Sequence, residues 1–157
     1  TVRAAIDVNN DQKTVMFRKA CKRLISFSGL KVAVLGLTFK PGTDDLRGAP
    51  SLENVSLLLG QGANIYAYDP CGMENFKLRY HEGENGKGCI KYVKTTEEAL
   101  KDADICFIFT EWDEIKAVQP ENYRKLMKIP LVYDGRNIYK IHEMKRSGVE
   151  YYSIGRE

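Results

Sequence analysis

The chain has 157 residues, 43% of them hydrophobic and 29% charged, with a formal net charge of +3. That composition describes a globular domain with a core of ordinary size rather than a disordered segment, and no apolar run approaches the roughly 20 residues a bilayer-spanning helix needs. Basic residues are spread along the chain apart from "QKTVMFRKACKRL" (12–24), which reads as a solvated helix face, so nucleic acid is not an expected partner. The opening "TVRAAIDVNNDQ" has neither the apolar centre nor the small-residue cleavage pattern of a signal peptide, and the expected location is the cytoplasm. Helical-looking residues directly after Thr1, with no capping residue before them, read as a piece of a longer chain.

From about Val2 to Phe27, Ile6, Val15, Phe17, Cys21, Leu24 and Ile25 recur at helical spacing, and Ser28-Gly29 supplies a stop; a long leading helix is predicted. "KVAVLG" (31–36) is a short, β-branched apolar run, the pattern of a parallel strand covered on both faces. After a charged loop, "SLENVSLLLGQG" carries a stripe of Leu52, Val55, Leu58 and Leu59 and ends at Gly60 and Gly62, and "ANIYAYDP" follows as a strand closed by Asp69-Pro70. Strand, helix and strand make a βαβ unit with a right-handed crossover.

Residues 71–89 are glycine-rich and aperiodic, and read as an exposed excursion that ends in a short strand near "IKYV". Thr95 and Glu98 form a T-x-x-E capping box on a helix through Leu100. "DICFIF", "PLVYD" and "EYYSIG" are strands, separated by helices at "ENYRKLM" and "KIHEMKRSG". The alternation predicts an α/β, Rossmann-like three-layer sandwich around a parallel sheet, preceded by the long helix.

Ligands of open parallel sheets sit outside the carboxyl ends of the strands, and four exits are unusually polar. They are Phe39–Arg47, Tyr68-Asp69-Pro70, Thr110–Asp113 and Asp134–Asn137. Parallel strands bring Lys40 and Arg136 toward one crevice, where two fixed cations suit a diphosphate; the competing reading has them pair with Asp44, Asp45 or Asp69 and merely hold loops. The dinucleotide fingerprint G-x-G-x-x-G is absent, since Gly36 is followed by Leu37, Thr38, Phe39 and Lys40, so independent NAD binding is not expected despite Asp69 at the end of the second strand. Asp44 and Asp45, being adjacent and lacking a third acidic ligand, are read as anchors for Arg47 and the helix start beyond Pro50 rather than as a metal site. The four cysteines form no C-x-x-C pair and the two histidines lie far apart, so no zinc site is expected and the thiols are expected free. Trp112 is read as packing rather than as a base-stacking platform.

In this order and spacing, "VLGLTFKPGTDDLRGAPS", "AYDP", "TEWDE" and "YDGRNIY" resemble the C-terminal, UDP-binding domain of the UDP-glucose/GDP-mannose dehydrogenase family, most closely its UDP-glucose 6-dehydrogenase branch. The resemblance implies two-step, NAD-dependent oxidation of the sugar C6, UDP-glucose to UDP-glucuronate, by a longer parent chain. It implies that residues 1–28 are the end of a central dimerisation helix and 29–157 the UDP-sugar-binding domain. Phe39, Lys40 and Arg136 match substrate-contacting positions, while Thr43, Asp44, Asp45 and Arg47 match positions that shape the loop. NAD, the nucleophilic cysteine in its G-S-C-x-P-K-D setting and the assisting lysine and asparagine belong to segments N-terminal to Thr1, so the fragment alone is expected to be inactive. The implied partners are a UDP-sugar, the N-terminal NAD domain and a second copy in a homodimer. Gly48 departs from the acidic residue common after the loop arginine. A UDP-N-acetyl-hexosamine or GDP-mannose dehydrogenase of the same family, and a stand-alone nucleotide-binding module without a reaction, remain open alternatives.

Overall fold

The computed structural model describes residues 12–155, and its first element is a helix, α1 (Val15–Arg23), that buries Met16, Phe17 and Ala20. The expected start near Val2 lies outside the described residues. The end comes sooner than the periodicity suggests: Leu24 is already extended at φ −114° and ψ 137°, and Ile25 leaves the helix fully exposed. Phe27 keeps its place in the apolar pattern by another route, entering the core from the connecting loop to stack on Phe17 with ring centroids 5.4 Å apart.

Among the described residues seven strands form one sheet: β1 (Lys31–Leu35), β2 (Asn64–Tyr68), β3 (Gly83–Asn85), β4 (Gly88–Tyr92), β5 (Ile105–Ile108), β6 (Leu131–Asp134) and β7 (Glu150–Ser153), in the order β3-β4-β2-β1-β5-β6-β7. All neighbours are parallel except β3 and β4, an antiparallel hairpin at one edge of the otherwise parallel sheet that the alternation predicts. The other six strands follow the doubly wound order, whose winding reverses between β1 and β5.

The remaining helices are α2 (Pro50–Gly60), α3 (Met73–Arg79), α4 (Thr96–Leu100), α5 (Asp113–Lys116), α6 (Pro120–Leu126) and α7 (Ile141–Arg146). Side chains alternate along β1, so Val32 and Val34 join the core beneath α1 and α2 with Phe17, Val55 and Leu58. Ala33 and Leu35 face the opposite core, built from Leu100, Tyr123 and Met144 on α4, α6 and α7. Covering both faces is what makes β5 and β6 continuously buried.

The 71–89 excursion is more ordered than its composition suggests, since it contains α3 and β3, anchored by the fully buried Phe76 against Tyr80 and Tyr92. Thr95 Oγ1 accepts from Glu98 N at 3.1 Å, as the capping pattern requires, but Glu98 Oε1 turns back to the Thr95 hydroxyl at 3.5 Å instead of to the backbone. All four thiols are free. Among the described residues no helix is long and apolar enough to cross a membrane.

Candidate functional site

The sheet exits next to the switch between β1 and β5 are joined by close packing. Gly36, at φ +93°, lies so near the β5 exit that a Cβ there would fall 2.5 Å from Thr110 N, so only glycine lets the two chains approach. Thr110 Oγ1 donates to Thr38 O at 2.6 Å, and Ser51 Oγ on α2 donates to Leu37 O.

Beneath this exit lies Asp69, wholly buried at the end of β2. Its Oδ2 accepts from Leu37 N at 2.7 Å, Thr38 N at 3.1 Å and Trp112 Nε1 at 3.0 Å, while Oδ1 accepts from Cys71 N at 2.9 Å and Gly72 N at 2.7 Å. Trp112 is therefore a packed, hydrogen-bonded residue, 8% exposed. The amides of Leu37, Thr38, Cys71 and Gly72 are thus committed to Asp69, and both of its carboxylate oxygens are occupied.

Past Thr38 the chain emerges, and Phe39 is 46% exposed with Lys40 exposed beside it. Phe39 N donates to Asp45 O at 3.0 Å, Asp45 N donates to Thr43 Oγ1 at 3.1 Å, and Asn75 Nδ2 from α3 holds Asp44 O at 3.1 Å. Asp45 grips Arg47 through its side chain and backbone N–H, and the guanidinium hydrogen bond holds the Asp45 carboxyl down at about 2. Asp45 alone, and not Asp44, holds Arg47, and neither reaches the helix start: α2 begins with Ala49 at the cap and Pro50 in the first turn, without a side-chain cap.

Asp134, also fully buried, organises the other loop. Its Oδ1 accepts from Arg136 N at 2.8 Å, and its Oδ2 accepts from Ile138 N at 2.8 Å and from Tyr151 O–H at 2.6 Å. Arg136 then reaches across to the first loop, where Nη2 donates to Phe39 O at 2.8 Å, and its Nε lies 3.4 Å from Glu111 Oε2. Arg136 Nε and Glu111 Oε1 are buried without a hydrogen-bond partner. Neither Lys40 nor Arg136 pairs with Asp44, Asp45 or Asp69, and among the described residues Lys40 forms no ion pair.

The structure therefore sets Arg136 against Phe39, with Lys40 next along the chain, and leaves Arg47, 92% exposed along its side chain, on the loop's outer flank. Sequence reasoning missed Thr38, Glu111 and Asp134. The aspartates that end β2 and β6 directly before a turn are the readable signal, because such carboxylates bond the backbone two residues on. Among the described residues no cluster of His, Cys, Asp or Glu is arranged to hold a metal ion.

A UDP-glucose 6-dehydrogenase of Bacillus subtilis (strain 168), YwqF, is 40% identical over 156 residues, which make up 99% of this chain and 34% of that protein. The structure of a UDP-glucose dehydrogenase from the archaeon Pyrobaculum islandicum has a TM-score of 0.74 at 27% identity, covering 98% of this chain and 31% of that one. An NDP-N-acetyl-D-galactosaminuronic acid dehydrogenase from Methanosarcina mazei Go1 has a TM-score of 0.77 at 26% identity, over 96% and 30% respectively. The chain spans about a third of the length of the curated relatives it matches. Residues 33–141, a stretch that takes in the Lys40 loop, Asp69, Trp112 and Arg136, match the UDP-glucose/GDP-mannose dehydrogenase family, UDP binding domain, and the chain belongs to that family.

Proposed function

We propose that this chain is the nucleotide-sugar-binding part of an NAD-dependent UDP-glucose 6-dehydrogenase, with Phe39, Lys40 and Arg136 contacting the uridine diphosphate. The observation that carries this reading is the bond from Arg136 Nη2 to Phe39 O, which brings two strand exits separated by 97 residues into one cationic corner. A diphosphate suits that corner, since Lys40 supplies a mobile point charge and Arg136 a planar fork already held by Phe39 O and Glu111. Thr43, Asp44, Asp45 and Arg47 shape the loop that presents Phe39 and Lys40.

Residues 1–28 belong to the central dimerisation region of the parent protein, and residues 29–157 form the UDP-sugar domain. NAD belongs to the N-terminal domain of that parent, which acts as a homodimer in the cytoplasm. The sequence relatives, at 34–40% identity, favour UDP-glucose as the sugar; the N-acetyl-galactosaminuronic acid dehydrogenase among the structural neighbours supports an N-acetylated sugar as the second reading.

Titration calorimetry of the chain with UDP and NAD tests this. UDP binding is expected, with Lys40→Ala and Arg136→Ala each weakening it about ten- to a hundredfold, the effect of a lost charge-assisted hydrogen bond of about 1.5–3 kcal/mol. Arg136→Lys keeps part of the affinity. Tighter binding of NAD than UDP overturns the reading, and so does UDP affinity that neither alanine variant changes.

A further inference from the structure

A second concavity lies at the edge of the sheet, away from Phe39, Lys40 and Arg136. It is a cleft of about 670 Å³ at the β7 edge, between α1 and α7, within the size range of small-molecule sites.

Its floor comes from sheet register. Phe107 on β5, Tyr133 on β6 and Tyr152 on β7 lie on the same face, with ring centroids 5.7 Å apart for the first pair and 4.8 Å for the second, interplanar angles of 28° and 20°. The three rings form a stacked ladder across the sheet. Tyr133 is 1% exposed and Tyr152 is 38% exposed. Because β7 is the last strand, the Tyr152 ring is backed by Tyr133 on one side and turns its other side outward over the sheet edge.

The rim is cationic. Lys19, Lys22 and Arg23 approach from α1 and Lys145 from α7, against a single carboxylate, Glu150. Arg23 holds Glu150 with Nε–Oε2 at 2.8 Å and Nη2–Oε1 at 3.2 Å, and Tyr152 O–H donates to the same carboxylate at 2.6 Å, which cancels its charge and fixes the ring. Lys19 Nζ is tied to Ser153 O at 2.6 Å. Lys22 and Lys145 are exposed and enter no ion pair among the described residues.

We propose that this cleft binds a nucleoside phosphate, its base stacking on the outer face of Tyr152 as the next ring of the ladder and its phosphates meeting Lys19, Lys22 and Lys145. A base stacked on an aromatic side chain supplies sequence-tolerant affinity, and the lysines supply the salt-dependent remainder. The cleft shares no residue with the Lys40–Arg136 corner, since none of Phe39, Lys40, Glu111 and Arg136 lines it.

The test is titration of the 157-residue chain with ATP, adenosine and inorganic tripolyphosphate. ATP is expected to bind at least about tenfold more tightly than either part, since it alone uses both floor and rim. Tyr152→Ala weakens ATP roughly five- to a hundredfold, while Tyr152→Phe, which keeps the ring and loses only the bond to Glu150, retains most of the affinity. Lys22→Glu with Lys145→Glu, at exposed positions the fold does not need, removes ATP binding and spares adenosine. Lys40→Ala leaves ATP affinity unchanged, so loss of UDP binding alone bears on the other site. Tripolyphosphate binding as well as ATP marks a plain anion patch and overturns the proposal. ATP affinity insensitive to Tyr152→Ala, or abolished by Lys40→Ala, overturns it as well.

Discussion

A carboxylate with no solvent exposure is costly unless the protein itself solvates it, and Asp69 meets that condition with four backbone amides and the Trp112 indole. Every one of those donors belongs to a segment that leaves β1, β2 or β5, so this single side chain ties three strand ends together. Asp69→Ala strands the donors, each costing about 1–3 kcal/mol, and is expected to lower stability by about 3 kcal/mol or more. Asp69→Asn keeps the shape but turns an amide NH2 toward N–H donors, and a comparable loss is expected. Urea unfolding decides it; an asparagine variant as stable as the parent would show that Asp69 is not the hub described. Lys40 and Arg136 stood out in the sequence as charged residues after buried strands, and Phe39 through the family resemblance; the structure sets Arg136 against Phe39 O. For Asp69 the turn signal covers only its bonds to Cys71 and Gly72, while those from Leu37 and Trp112 depend on segments far apart in the chain.

Among the elements, long buried runs carried the strongest signal. β1, β2, β5 and β6 are found where their apolar residues put them, since parallel strands covered on both faces leave little room for polar positions. α3 and β3 escaped notice because α3 buries only Phe76 and β3 is three residues long, each too short to set up a period. The end of α1 was misplaced for a related reason: Phe27 satisfies the helical period in sequence while reaching the core from extended chain. α4 offers a cleaner test of local sequence chemistry. It has five residues and its first turn depends on the Thr95 hydroxyl, which accepts from Glu98 N at 3.1 Å. Thr95→Ala is expected to cost about 1 kcal/mol in denaturant unfolding and Thr95→Ser much less; equal effects would mean that the methyl group, not the cap, matters.

At the scale of the molecule, alternating strands and helices identified the class but not the order of strands, because a buried run shows that neighbours exist without saying which. The assembled sheet also concentrates phenols in its interior. Tyr123, Tyr133 and Tyr139 are all buried, and loss of solvent holds each ionisation above its ordinary range; for Tyr123 the neighbouring Tyr139 adds to this. Such groups stay protonated in the fold but ionise near pH 10 once the chain unfolds. Their contribution is therefore fully present below about pH 10 and is lost as pH rises further, by up to about 1.4 kcal/mol per pH unit for each phenol. Urea midpoints are expected to hold between pH 8 and 9.5 and to fall steeply above; a midpoint that stays flat to pH 11 would contradict the burial of these hydroxyls.

Trp112 is the chain's one tryptophan, and its indole stands at the foot of the Lys40 loop with Nε1 3.0 Å from Asp69 Oδ2. Light emitted on indole excitation thus originates at a single address in the molecule. A ligand that settles against Phe39 and Arg136 perturbs the hydrogen-bonded frame around that lamp, whereas one lying on Tyr152 at the β7 edge leaves its colour and brightness alone. The fold carries its own optical gauge, and that gauge reads one binding locale while remaining blind to the other.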